Sequence, residues 1–183
     1  MVYVHLAEGF EEIEALACVD IMRRADIETK TVSITGQKLV KSVRGVVIAA
    51  DVLYEEADYK SCHMIVLPGG MPGAKNLGEH KGLLSNIQEF AQNNKWVAAI
   101  CAAPMILGHE GLLKGRKATI FPGMEEHLVG AEAVPNRVVI DGNLITSKGP
   151  GTAMEFTLAI VGVIKGQETA EKLKKDLVMF NGQ

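Results

Sequence analysis

Cys101 stands where an apolar run, Trp96-Val97-Ala98-Ala99-Ile100, meets the small residues Ala102-Ala103-Pro104. A sharp strand-to-helix turn presents a nucleophile, provided that bulky neighbours do not cover it. Unpaired N–H groups and the positive end of a helix dipole at such a turn favour thiolate over thiol, and the thiolate is the nucleophile. The thiol is therefore expected to titrate below its ordinary value of about 8.5. The alternative is a core cysteine: free cysteines are among the most buried residues, and the glycines of a hydrolase elbow are missing.

Glu14 is the second candidate. At about 100° per residue, Phe10, Ile13, Ala17 and Ile21 share one apolar helix face, and Glu14 lies on that side, between Ile21 and Cys18. A carboxyl on a buried face responds by raising its pKa and keeping its proton. Protonated, Glu14 can donate to a thiolate or pass a proton to a substrate oxygen. The alternative is a residue at the edge of the face that reaches water.

Pro68-Gly69-Gly70 closes the apolar run His63–Leu67. Paired glycines let backbone approach a ligand and aim N–H groups at developing negative charge, although an ordinary turn uses them too. Gly149-Pro150-Gly151 is open between a helix start and a site wall. His5, His63, His80, His109 and His127 show no metal-ligand spacing, and no phosphate-binding glycine motif occurs. Neither a metal nor a cofactor is expected, and Cys18 and Cys62 read as structural thiols.

The elements that must position these groups alternate between β-type runs and helical patterns, which indicates an α/β fold with a mostly parallel sheet. Strands are expected at Val2–Leu6, Thr29–Ile34, His63–Leu67, Val97–Ile100 and Lys117–Ile120. Hairpins are expected across Gly45 and across Asp141-Gly142. Helices are expected at about Glu11–Ala25, Leu77–Asn93, Ala102–Glu110, Thr152–Ile164 and Glu168–Lys175. At 183 residues, 48 % of them hydrophobic, the chain suits one domain over 1–183. Its net charge of −3 gives no general attraction to nucleic acid or anionic membranes. The apolar stretch Trp96 to Leu107 is too short to span a bilayer, and no secretion signal precedes Val2. Three cysteines without CxxC spacing point to a reducing, cytoplasmic setting.

Taken together and in order, Glu11-Glu12-Ile13-Glu14, Leu67-Pro68-Gly69-Gly70, Ala98 to Pro104 and Thr146-Ser147-Lys148-Gly149-Pro150-Gly151-Thr152 resemble the ThiJ/PfpI superfamily. The resemblance runs from Val2 to about Met179 and is nearest to the Parkinsonism-associated deglycase (DJ-one) branch. It implies a flavodoxin-like sandwich with helices on both faces, usually as a homodimer. It puts Cys101 at the nucleophile elbow, with protonated Glu14 hydrogen-bonded to its sulfur. Gly69, Gly70 and Ala102 match the anion pocket, and Gly149 and Pro150 its wall. Arg44 and Lys148 match basic positions around it, the second commonly Arg in the family and less geometric as Lys. Members known for glyoxal chemistry carry His where this chain has Phe121, in Thr119-Ile120-Phe121-Pro122; some bacterial members share the Phe. Phenylalanine cannot shuttle protons. The peptidase branch has His directly after its cysteine, where Ala102 stands here, which argues against proteolysis.

The resemblance implies a stress-protection enzyme acting on methylglyoxal or a glycated adduct through Cys101 and Glu14. The alternative is a non-enzymatic peroxide sensor or redox-regulated chaperone, in which Cys101 is oxidised to sulfinic acid.

Overall fold

The computed structural model describes residues 1–179; residues 180–183 of the expected 1–183 domain lie outside it. β1 (Val2–Leu6) leads through α1 (Glu12–Arg24) to β2 (Thr29–Ser33). A two-stranded antiparallel excursion, β3 (Leu39–Lys41) with β4 (Val47–Ala49), precedes β5 (Val52–Leu53) and β6 (Met64–Leu67). Next come α2 (Gly73–Glu79), α3 (Lys81–Gln92), β7 (Trp96–Ile100) and α4 (Pro104–His109). β8 (Lys117–Ala118) pairs with β9 (Glu132–Ala133), β10 (Val138–Asp141) forms a hairpin with β11 (Leu144–Ser147), and α5 (Ala153–Lys165) and α6 (Gln167–Asp176) follow. Among the described residues no helix is long and apolar enough to cross a membrane.

Seven strands form the main sheet in the order β10-β11-β7-β6-β1-β2-β5, parallel except for β10. Its central strands are buried on both faces, which is why they read as continuous apolar runs. Alternate residues feed two cores. Val2, Val4 and Leu6 of β1 join α1, α5 and α6 on one face; Tyr3 and Val97 join α2, α3 and α4 on the other. The expected sandwich is present. From β1 the chain moves outward to β2, then returns to β6 on β1's other side, so the carboxyl ends of β1 and β6 flank a crevice. Ligand sites in open α/β sheets collect at such reversals.

Local differences from the sequence reading have local causes. The helix expected over Leu77–Asn93 divides at His80, whose Nδ1 accepts from Leu83 N–H (3.0 Å) and caps α3. α4 begins at Pro104, not Ala102, because proline suits the first helical position and residues 101–103 form the turn. β5 and β9, two residues each, are too short for periodicity to report.

The phase of α1 needs a larger correction. Its buried residues are Glu14, Ala15, Cys18, Val19, Ile21 and Met22, while Ile13 is 56 % exposed. The core face is thus turned by about one residue, about 100°, from the one expected. Phe10 misled the phase: it is fully buried but precedes the helix. Ile21 and Glu14 stay inside in either phase. Ile21→Ala should cost about 2–5 kcal/mol in urea unfolding, as buried aliphatic truncations do; a loss below about 1 kcal/mol would place Ile21 off the core.

Candidate active site

Cys101 follows β7 with a left-handed backbone, φ 63°. For a residue with a Cβ this conformation costs about 1–2 kcal/mol and persists only where neighbours impose it. Two hydrogen bonds do so: Cys101 N–H donates to Ser147 C=O at the end of β11 (3.0 Å), and Phe121 N–H donates to Cys101 C=O (2.9 Å). Cys101 retains 8 % exposure, whereas Cys18 and Cys62 are fully buried. Burial pushes the Cys18 thiol up to about 12 and the Cys62 thiol to about 11, so neither supplies thiolate at neutral pH.

Glu14 lies in the first turn of α1, which Glu11 caps by accepting from Glu14 N–H (2.8 Å). The side chain is fully buried. Its Oε2 accepts from Gly69 N–H at 2.7 Å, while Oε1 is buried without a fixed partner. The carboxyl also interacts with the Cys101 sulfur. Burial raises Glu14 to about 7, against the opposing pull of the Gly69 N–H and the Cys101 thiol. A proton on this carboxyl neutralises it and turns the unpartnered oxygen into a donor.

Gly69 is where the two groups meet. A Cβ there would lie 2.6 Å from Cys101 Cβ, 2.9 Å from Glu14 Oε2 and 3.0 Å from Ala102 N. No side chain fits between acid and thiol. The N–H groups of Gly70 and Ala102 act on the sulfur and favour its anion. They are nevertheless outweighed: burial, and after it the Glu14 carboxylate, push the Cys101 thiol up to about 12. The expectation of a depressed thiol is therefore corrected for the state in which Glu14 is ionised. Helix α4 starts three residues beyond the cysteine and contributes no N-terminal turn at the sulfur. Protonating Glu14 removes two of the three influences that raise the thiol. The pair titrates as a unit that holds one proton above about pH 7.

Gly149 and Phe121 form the opposite wall. A Cβ at Gly149 would sit 3.4 Å from the Phe121 ring and 4.0 Å from Cys101 Sγ, so ring and sulfur border one space. Pro150 opens the short 3-10 turn beyond. That turn is pinned by two hydroxyls that motif reading passed over. Thr152 Oγ1 accepts from Gly149 N–H (3.1 Å), and Ser147 Oγ lies 2.7 Å from Thr152 Oγ1. Their only sequence signal is their place on either side of Gly149.

Each of the two basic candidates acts on a nearby glutamate. Arg44 is exposed, and its charge acts on Glu11; the loop before it is tied to the site, with Val43 N–H donating to Phe10 C=O (2.8 Å). Lys148 lines a cavity of about 280 Å³ with Thr119, Ile120 and Glu125, and its charge acts on Glu125. Among the described residues no group of three or more His, Cys, Asp or Glu is arranged to hold a metal.

Because Glu14 binds its proton more tightly folded than unfolded, it stabilises the fold fully below pH 4.5, and that contribution is lost as pH rises through about 7. The loss is on the order of 3 kcal/mol. Glu14→Gln should flatten stability between these limits in urea titrations, and an unchanged slope would show that Glu14 is not the responsible group.

A model of the DJ-1/PfpI family matches residues 1–162. DJ-1 homolog B of Arabidopsis thaliana is 42 % identical over 175 residues, 95 % of this chain but 40 % of the relative, so the chain spans under half of that protein's length. The glutathione-independent glyoxalase DJR-1.2 of Caenorhabditis elegans is 31 % identical over 173 residues, 94 % of this chain and 92 % of the relative. Oxidized Toxoplasma gondii DJ-1 superposes with a TM-score of 0.93 at 34 % identity, over 97 % of both chains.

Proposed function

The chain belongs to the DJ-1/PfpI family, and from that premise we propose that it is a cytoplasmic, cysteine-dependent protein of the glyoxalase or deglycase type. Its substrates are small reactive carbonyls such as methylglyoxal, or their early adducts. One observation carries this reading: the sulfur of Cys101, a residue that keeps 8 % exposure, shares a wall of backbone N–H groups with a buried carboxyl whose pKa is raised to about 7. The relative from Caenorhabditis elegans, named a glutathione-independent glyoxalase, supports it. Three free cysteines suit a reducing compartment.

The reactive form carries the proton on Glu14 and the negative charge on sulfur. The thiolate adds to the aldehyde carbon, and the N–H groups of Gly70 and Ala102 hold the resulting oxyanion. Glu14 protonates that oxygen. As a carboxylate it then takes the proton from the same carbon and returns it to the neighbouring carbonyl carbon, while the hydroxyl proton passes from the first oxygen to the second, which converts the hemithioacetal to a 2-hydroxy thioester. Water cleaves the thioester, releasing lactate from methylglyoxal and restoring the thiol. Overall one water is consumed and no electrons are exchanged with an outside reagent. Phe121 borders the sulfur but cannot relay protons, so Glu14 carries both transfers.

The same absence of a second proton carrier favours one other reading, a peroxide sensor or redox-regulated chaperone. Thiolate attack on hydrogen peroxide forms S–O, breaks O–O and expels hydroxide; a second round gives the sulfinic acid, to which Glu14 donates. The two readings separate in one comparison. The enzyme reading expects lactate from methylglyoxal with the native protein, and a loss of about 10²-fold or more in Cys101→Ala. Equal rates, with native Cys101 gaining two oxygens in mild peroxide, would overturn it in favour of the sensor.

A second copy of the chain is the partner that the family suggests. Ile13 and Leu16 on α1, 56 % and 39 % exposed, supply an apolar surface for it. Light scattering should report a dimer for the native chain and a monomer for Leu16→Asp; an unchanged dimer would move the interface elsewhere.

A further inference from the structure

Two histidines with no motif spacing meet in space. His109 ends α4, and His127 ends the 3-10 turn Glu125–His127. His127 Nδ1 and His109 Nε2 lie 3.3 Å apart, with the ring planes inclined at 68°. We propose that this pair is a binding site for a divalent first-row transition-metal ion, of the Zn²⁺ and Cu²⁺ class, separate from Cys101.

The spacing is the first argument. Two imidazole nitrogens, each about 2.05 Å from Zn²⁺ and subtending about 109°, stand about 3.3 Å apart. In the metal-free pair, one ring's N–H fills this gap by donating to the other ring's lone pair. A metal ion replaces that proton and accepts both lone pairs, while the remaining ring protons sit on His127 Nε2 and His109 Nδ1.

The outer contacts are the second. Glu126 Oε1 lies 3.9 Å from His127 Nε2, the nitrogen facing away from the proposed ion. A carboxylate on that side favours the tautomer whose Nδ1 lone pair faces the ion. His109 also borders a cavity of about 200 Å³ with Glu79, Glu110 and Lys75, where the carboxylates outnumber the ammonium. The local field favours a cation.

Rigidity is the third. Gly108 admits the 3-10 segment: a Cβ there would come 2.1 Å from His127 C=O and 2.9 Å from Val129 N. His127 N–H donates to Met124 C=O and Leu128 N–H to Glu125 C=O, each at 3.0 Å, and Leu128 is buried at 4 % exposure. The backbone therefore presents His127 to His109 without having to be ordered by the ion. Two protein ligands leave the other positions to water, and the ion ties α4 to the segment that begins at Phe121.

Calorimetric titration with ZnCl₂ and CuCl₂ tests the site in a Cys101→Ala background, where the thiol cannot contribute. About one equivalent should bind, with Cu²⁺ tighter than Zn²⁺. His109→Ala and His127→Ala should each weaken binding about tenfold or more. The Cu²⁺ complex should show electron-spin coupling to two imidazole nitrogens. His63→Ala controls for an imidazole that lies 3.1 Å from the N-terminal amine, a second pair of nitrogen donors, and should change nothing. Binding unaltered by both His109→Ala and His127→Ala, or none up to millimolar metal, would overturn the proposal. Because both rings border solvent, circular dichroism of the variants should match the parent, and His109→Gln provides a second loss-of-ligand test.

Discussion

The site depends on one buried carboxyl pressed against one sulfur, with only a glycine between them. Gly69 supplies the N–H that satisfies one oxygen of Glu14 and the missing side chain that lets Cys101 approach. The other oxygen has no fixed partner. A buried carboxylate in this position is unfavourable, so the cheapest state of the pair retains a proton. The two groups share that proton: on sulfur it leaves Glu14 ionised, on Glu14 it leaves a thiolate. Backbone N–H groups of Gly70 and Ala102 favour the second arrangement, and burial of the sulfur opposes it. The charge of the thiol is therefore tied to the protonation of Glu14 and not set by the turn alone.

Much of this was legible in the residues. Continuous apolar runs marked the central strands because those strands are covered on both faces, and the small residues after Cys101 marked the turn. Glu14 stood out as a charge beside apolar neighbours, and the structure buries it fully. What failed did so for physical reasons. Phe10 has the composition of a helix-face residue but sits before the helix, so it shifted the apparent phase and put Ile13 inside. The thiol was read from its turn alone, while its titration is governed by burial and by a carboxylate that arrives from 87 positions away in the chain, residue 14 against residue 101. Ser147 and Thr152 brace the Gly149 wall through hydroxyl contacts that no periodicity encodes. His109 and His127 meet only because Gly108 lets one backbone segment lie against another.

Phe121 meets the site in two separate ways. Its backbone N–H holds Cys101 C=O, a role that any residue except proline can fill. Its ring, 44 % exposed, forms part of the wall facing the sulfur. Frame and wall are thus set by different parts of one residue: the backbone holds the turn, and the ring lines the space beside the sulfur.

The strand order β7-β6-β1 has a bearing on biosynthesis. The acid is translated 87 residues ahead of the sulfur, and they become neighbours only once β6 and β7 have docked in parallel beside β1. Non-local parallel pairing of this kind is slow, because loop closure precedes its reward. A nascent chain on the ribosome therefore carries an unmatched glutamic acid at least until β6 and β7 have emerged behind it.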